Sequence, residues 1–273
     1  MKLSIITINF NDRVGLDKTI QSVINQTYRD FEYIVIDGAS TDGSVDVIKK
    51  YADRLTHWVS EPDTGIYNAM NKGTRLAQGE YCLYLNSGDF LAADDVLEKA
   101  FSHNFTEDIV SCDLELFDER NVYVQKPPRH ISLFTFTNGS LPHPSTFIKR
   151  NILEELGGYN ESYRIMSDWC FFLEALIRKQ CSYRVLDFLL SKFNCFGISS
   201  TSKFDNSEEY IRTLFPRIME DYIPYEDEAV YNVLLWIHEK RFLRKIFVFP
   251  FKLINRIFKL RNRLSRRTEI YYQ

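Results

Sequence analysis

The apolar and polar positions of the first ninety residues fall into two alternating kinds of run. Residues 3–8, 31–36 and 81–85 are short, mostly apolar or β-branched runs with no helical period, and 57–60 is a shorter one. Such runs suit strands covered on both faces. Between them, Val14, Leu16, Ile20, Val23 and Ile24, and later Ile66, Ala69, Met70, Gly73 and Ala77, recur at close to a helical period. Residues 44–51 read as a further helix. Strand and helix in strict alternation predict an α/β fold with a parallel, doubly wound sheet.

Each strand-like run ends in a polar turn. These turns are Asn9-Phe10-Asn11-Asp12, the glycine-containing loop from Asp37 to Ser44, Glu61-Pro62-Asp63-Thr64-Gly65, and Asn86-Ser87-Gly88-Asp89. Asn, Asp, Ser and Gly all favour non-helical backbone, so the chain is expected to turn there. Turns that follow parallel strands lie along one carboxyl edge of the sheet, which is where ligands bind in open α/β proteins. Asp89 is then a carboxylate presented just past a central strand. Taken alone, the same turn reads equally well as a strand-to-helix connection with a local backbone bond.

Past Asp89 the periodicity is weaker. A helix is expected over 94–101, two hairpin arms over 109–117 and 121–126, and a break at Pro127-Pro128. A strand over 145–148 and a helix over 151–156 follow, the latter ended by Gly157-Gly158. Ser167 is placed to cap an apolar helix over 169–177, and 183–193 reads as a strand pair or hairpin. Beyond about residue 199 the pattern turns to helices with polar linkers. Two domains are therefore expected, 1–200 and a helical extension over 201–273.

Composition changes this picture little: 45% hydrophobic and 26% charged residues over 273 positions suit a globular protein. The five cysteines have neither C-x-x-C nor metal-finger spacing and read as buried free thiols of a reducing compartment. No signal peptide is visible, and no run of about 18 apolar residues could span a membrane. Charge is more informative. Between Lys240 and Arg267 lie 11 Lys/Arg and no Asp/Glu, leaving 23 Lys/Arg against 37 Asp/Glu elsewhere, a net of −14. An acidic body argues against nucleic acid as a partner. The basic tail, with apolar residues interleaved from Phe242 to Leu264, suits amphipathic helices on an anionic membrane surface. Packing of that tail on the body, or a dimerisation arm, is the competing reading.

The sheet edge lacks both familiar phosphate cradles, G-x-G-x-x-G and the Walker A sequence. It offers carboxylates instead: Asp37, Asp42, Asp63 and Asp89. These would repel a bare diphosphate. They suit one bridged by a divalent cation, or hydrogen bonds from a ribose or a base.

Thr7-Ile8-Asn9-Phe10-Asn11, Asp37-Gly38-Ala39-Ser40-Thr41-Asp42-Gly43-Ser44 and Asn86-Ser87-Gly88-Asp89, at this spacing, resemble the family 2 glycosyltransferases. Glu61-Pro62-Asp63-Thr64-Gly65-Ile66-Tyr67-Asn68-Ala69-Met70-Asn71-Lys72-Gly73 is similar to a subgroup of bacterial polysaccharide, colanic-acid-type assembly. The resemblance covers roughly residues 1–200. It implies the GT-A fold, a mostly parallel, Rossmann-like nucleotide-binding sheet flanked by helices. It also implies sugar transfer from a nucleoside-diphosphate-sugar, UDP-linked, to a hydroxyl of a saccharide or lipid-linked acceptor.

Site residues follow from the resemblance position by position. Thr7, Asn9 and Asn11 lie along the nucleoside, Asp37 contacts the base or ribose, and Asp63 is a further donor-site acid. Asn86 and Ser87 belong to the donor turn. Lys72 neutralises phosphate or is a solvated helix lysine. Asp89 matches the last acid of the D-x-D motif and would hold Mg2+ or Mn2+. Asp168 matches the catalytic base of the inverting enzymes. His143 and Trp169 are acceptor-side candidates, each with a structural reading beside it. The motif departs from the family at Asn86 and Gly88, where acids are usual, so one carboxylate is left for the cation and the nucleotide must bring the rest. A cytoplasmic protein on the inner face of the membrane, with a homodimer as an option, completes the expectation. Two rivals stand beside it: a sugar nucleotidyltransferase, whose signature Gly73-Thr74-Arg75-Leu76 partly imitates, and a catalytically silent sugar-binding subunit.

Overall fold

The computed structural model describes residues 1–117, 121–131, 135–136 and 139–195. The expected helical extension and its amphipathic tail lie outside the described residues.

Four strands, β1 (Leu3–Asn9), β2 (Phe31–Asp37), β3 (His57–Ser60) and β4 (Tyr81–Tyr84), form a wholly parallel half-sheet in the order β3-β2-β1-β4. Every residue of β1 and β4 is buried, as expected for strands covered on both faces. The crossovers are helices α1 (Arg13–Ile24), α2 (Ser44–Lys50) and α3 (Ile66–Leu76). Helix α1 starts at an Asp12 N-cap, whose carboxylate accepts from the Gly15 amide at 3.0 Å. Helix α3 lies close on the sheet because Gly73 has no side chain. A Cβ there would sit 2.4 Å from Cγ2 of Ile6.

The rest of the sheet is mixed. It runs on from β4 through β8 (Thr146–Lys149), β6 (Ile109–Phe117) and β9 (Tyr183–Asn194) to the two-residue β5 (Phe90–Leu91). β6 pairs antiparallel with β7 (Val122–Gln125), the expected hairpin, and with β8, but parallel with β9. Helix α4 (Val96–Ser102) follows β5, and α5 (Arg150–Glu155) follows β8. Helix α6 (Ser167–Leu173) runs on into a π-helical stretch, Glu174–Arg178.

Three expectations change. Residues 183–194 form one twelve-residue strand, not a hairpin. β6 needs a partner along its whole length, and β9 follows it from Ile109 to Phe117 with a bulge near Asp113. Ser167 is the first residue of α6, not its N-cap; that position is Met166, and the Ser167 hydroxyl is buried without a partner. The cysteines form no disulfide, but only Cys82 and Cys112 are buried; Cys170, Cys181 and Cys195 are half-buried.

The main core is shared between α1, α2, α4 and one face of the sheet, with Leu16, Ile20, Leu83, Leu97 and Phe147 fully buried. Among the described residues no helix is long and apolar enough to cross a membrane.

Candidate active site

The strand ends bring the donor-side residues into one row. Asn9 is in register with Asp37, and Asp37 with Ser60. A continuous chain of hydrogen bonds follows that row. Ser87 Oγ donates to Asn9 Oδ1 at 2.7 Å, and Asn9 Nδ2 donates to Asp37 Oδ1 at 2.7 Å. Ser60 Oγ donates to Asp37 Oδ2, also at 2.7 Å. The chain therefore crosses the carboxyl ends of all four parallel strands, with Ser87 just past β4.

Asp37 is fully buried and fully served. Ser40 adds its amide to Oδ2 at 2.9 Å and its hydroxyl to Oδ1 at 2.6 Å. Burial pushes the carboxyl up, but the bonds from Ser40, Ser60 and Asn9 outweigh it and hold the group below its ordinary range. The two turns interlock above it. Asn11 donates its amide to Ser40 Oγ, and its side-chain oxygen accepts from the Thr41 amide, both at 2.8 Å. Asn11 and Ala39 both have left-handed backbone, at φ 52° and 59°. Ala39 is an unfavourable residue for that region, and strain of this kind gathers at functional loops.

Asp63 reaches the same place from the far side. A Cβ on Gly38 would lie 2.5 Å from Asp63 Oδ2 and 3.2 Å from the Phe10 ring, so Gly38 is the gap through which they approach. Asp63 also accepts from the Gly65 amide at 3.0 Å. Phe10, 65% exposed, stands at this edge as an open ring, and neither apolar periodicity nor turn chemistry distinguished it. Asp42, another acid of the edge, serves the fold. It accepts from the amides of Arg13 and Ser44 and from the Ser44 hydroxyl.

Two donor candidates are engaged by other groups of the protein. Thr7 is fully buried with its hydroxyl against Tyr33 OH at 2.9 Å, beneath the site. Lys72 is engaged in the 61–65 loop, 2.8 Å from Glu61 and 2.9 Å from the Pro62 carbonyl.

The Asn86–Asp89 turn is built differently. Its backbone is fixed by α1, because the buried Thr19 hydroxyl accepts from the Gly88 amide at 3.0 Å and donates to the Asp89 carbonyl at 2.6 Å. Gly88 takes φ +94°, and a Cβ there would stand 3.5 Å from Asp12 Oδ2. The Asp89 side chain is 3% exposed, and the Asn194 amide reaches its Oδ1 at a long 3.3 Å. Its Oδ2 has no partner, and neither has Asn86 Oδ1. Burial drives the Asp89 carboxyl well above its usual range; the amides of Asn194 and Asn86 pull it back too weakly, and nearby Asp12 pushes it further. Among the described residues, no group of three or more His, Cys, Asp or Glu could hold a metal. The two orphaned oxygens are nevertheless hard acceptors on one turn, the ligand type of Mg2+ and Mn2+.

Asp168 lies in the first turn of α6 and is half-buried. Tyr67 OH donates to its Oδ1 at 2.8 Å and also reaches the Ile165 carbonyl. Helix α3 grips the segment that leads to this acid. Asn71 pairs with the Tyr159 backbone through both side-chain atoms, at 2.7 and 2.8 Å, and Asn68 and Asn71 both donate to Glu161. Beside these contacts lies an open cleft of ≈ 280 Å³, lined by residues including Thr64, Tyr67, Asn68, Glu161 and Tyr163.

His143 and Trp169 do not line that cleft. His143 is buried, stacked on Tyr84, with Nε2 2.8 Å from Tyr159 OH. Burial lowers its pKa and the charge of Asp168 opposes this. The Trp169 indole is buried and donates to the carbonyls of Phe136 and Gly139. Both side chains are built into the protein interior. Gly73-Thr74-Arg75-Leu76, the imitation of a nucleotidyltransferase signature, lies within α3 and not in a loop after the first strand.

Comparison with known proteins agrees with this architecture. The sequence profile of Glycosyl transferase family 2 matches residues 4–166. An uncharacterized glycosyltransferase of Mycobacterium tuberculosis is 34% identical over 206 residues, covering 72% of this chain and 77% of its own. A PGL/p-HBAD biosynthesis glycosyltransferase of Mycobacterium bovis is 27% identical over 217 residues, covering 77% and 83%. Among solved structures, Staphylococcus aureus TarS 1–349 in complex with UDP superposes at a TM-score of 0.61 and 20% identity. That match spans 71% of this chain but 60% of the TarS fragment. The mannosyltransferase PcManGT from Pyrobaculum calidifontis, solved with GDP-Man and Mn2+, gives a TM-score of 0.55 at 19% identity, covering 77% and 60%. With its parallel half-sheet, its strand-end acids and this match over most of the described residues, the chain belongs to the family 2 glycosyltransferases and has the GT-A fold.

Proposed function

We propose that this chain is an inverting transferase that moves a hexosyl or N-acetylhexosaminyl group from a UDP-sugar to an acceptor hydroxyl. The observation that carries the reading is the hydrogen-bonded row Ser87–Asn9–Asp37–Ser60 across four strand ends. It presents a fixed polar edge to a nucleoside, and TarS, solved with UDP and with UDP-GlcNAc, supports a uridine nucleotide. Asp37, held ionised by its neighbours, fixes Asn9, Ser40 and Ser60 to meet the ribose or base. Asp63 and Asn11 flank it. Asp89 and Asn86 would hold Mg2+ or Mn2+ through their unmatched oxygens. When bound, that cation supplies charge stabilisation to the departing diphosphate.

The acceptor enters the cleft beside Tyr67 and Glu161. An acceptor oxygen bonds to the anomeric carbon as the bond to the diphosphate breaks, and Asp168 takes the hydroxyl proton. Attack opposite the leaving group inverts the anomeric centre. A saccharide or lipid-linked acceptor of surface polysaccharide assembly fits the open cleft, and the basic tail would hold the enzyme at an anionic cytoplasmic membrane face. Release of UDP from a panel of UDP-sugars with Mn2+ or Mg2+ and a lipid-linked saccharide tests the reaction, and NMR of the product tests inversion. Pyrophosphate exchange, or binding with no turnover of any donor, would overturn it. Vesicles containing anionic lipid should retain the full chain and lose one truncated after residue 239.

A further inference from the structure

Tyr67 is 5% exposed and sits in the first turn of α3, two residues after Gly65. Its ring rests against Tyr159 at 5.7 Å between centroids. Its hydroxyl carries one proton and lies within reach of two acceptors, Asp168 Oδ1 and the Ile165 carbonyl. Burial, and then the charge of Asp168, raise the Tyr67 pKa far beyond the physiological range, so the proton stays on the hydroxyl. Among the described residues Tyr67 is the only side chain hydrogen-bonded to the Asp168 carboxylate.

We propose that Tyr67 is the positioning residue of the base: it fixes Oδ1 of Asp168 and leaves Oδ2 to receive the acceptor's proton. The proposal rests on Asp168 being that base. Before transfer the carboxylate is the stronger of the two acceptors and receives the tyrosine hydrogen bond. Once Asp168 has gained the acceptor's proton it accepts less well, and the Ile165 carbonyl gives the Tyr67 hydroxyl a second partner. The hydroxyl therefore never loses a partner during the cycle, and the carboxylate is oriented only while it is needed as a base. The arrangement also joins the two halves of the site. Asp63, on the donor side, and Tyr67 are four residues apart on one loop-to-helix segment that the Gly65 amide ties to Asp63.

The test uses the full chain with UDP-sugar, Mn2+ and acceptor, and compares Tyr67→Phe, Asp168→Asn and the double variant. Phenylalanine keeps the ring contact with Tyr159 and removes only the hydroxyl. In Tyr67→Phe, kcat should fall about 10- to 100-fold, the scale on which misplacing a catalytic group acts. UDP affinity, read by calorimetry, should not move, and the binding stoichiometry corrects for any misfolded fraction. The loss should fall on kcat and leave the KM for the UDP-sugar unchanged. In the Asp168→Asn background the tyrosine change should lose nothing further. A normal kcat in Tyr67→Phe, beside an inactive Asp168→Asn, overturns the Tyr67 proposal alone. So does a loss that simply multiplies with that of Asp168→Asn. Normal turnover by Asp168→Asn overturns the base assignment and the Tyr67 proposal together.

Discussion

Asp37 and Asp89 stand past neighbouring parts of one sheet edge, and both are almost wholly buried, yet they are opposite kinds of carboxylate. Asp37 has both oxygens engaged, by Asn9, Ser40 and Ser60, and is held below its ordinary pKa. Asp89 has only weak bonds from backbone amides, one oxygen with no partner, and a carboxyl raised well above its ordinary pKa. Burial is the same; the supply of donors differs. A carboxylate surrounded by donors is a fixed anion that orients the groups around it. One starved of donors has unspent affinity for a cation or a proton, and the structure keeps it in place through its backbone, by Thr19, and not through its side chain. The edge thus separates a rigid recognition element from a site left to be completed by what binds there.

That contrast can be broken most directly at Asp89. Asp89→Ala should lower Mn2+-dependent UDP-sugar binding by more than about 100-fold, beyond the loss seen when outer-shell partners of metal ligands are removed. Calorimetry with and without Mn2+ reads it, and unchanged binding would remove Asp89 from the site. Next in size, Asp37→Asn sets an amide NH2 against hydroxyl and amide donors and should destabilise the fold by about 1–3 kcal/mol, measured by urea unfolding. The sign with pH follows from its depressed pKa. Its contribution is present above the unfolded value, about 3.9, and is lost as pH falls through the folded value. The natural chain should therefore lose its advantage over Asp37→Asn on acidification below about pH 4.

Asp89→Asn should behave in the opposite way in cation-free buffer. Its raised pKa means that the ionised folded form is penalised above the folded value, so the variant should melt higher than the natural chain at alkaline pH. That advantage should shrink as pH falls and the natural carboxyl takes up its proton. A variant that melts lower at every pH would show that Asp89 is satisfied as it stands. The smallest effect is expected at Ser60→Ala, which removes one donor of several from Asp37 and should reduce stability by about 1 kcal/mol with little change in UDP affinity. A larger loss of affinity would mean that Ser60 itself touches the nucleotide.

Much of this was legible in the chain. The mostly apolar, β-branched runs at β1, β2 and β4 read as covered strands, and parallel strands put their following turns on one edge. The turn motifs then put Asn9, Asp37 and Asp89 together on that edge. Ser60 could have been found the same way, since it ends β3 in register with Asp37. Tyr67 could not. It reads as one more aromatic residue in an amphipathic helix, and its partner Asp168 is 101 residues away. Nor could the roles of Thr7, Lys72, His143 and Trp169 be separated from structural ones, because residue type does not say whether a polar group spends its bonds inside the protein.

The sequence by itself determined the alternation of strand and helix, the shared edge of the turns, and the identity of the acids there. Those follow from periodicity and from the backbone preferences of Asn, Asp, Ser and Gly, which act over a few residues. Only the tertiary structure decided which of those acids is satisfied and which is not. Donors to a buried carboxylate come from other strands and distant segments, Ser60 to Asp37 across 23 residues and Asn194 to Asp89 across 105. Whether a charge is held, starved or aimed depends on that long-range supply, which local pattern does not carry.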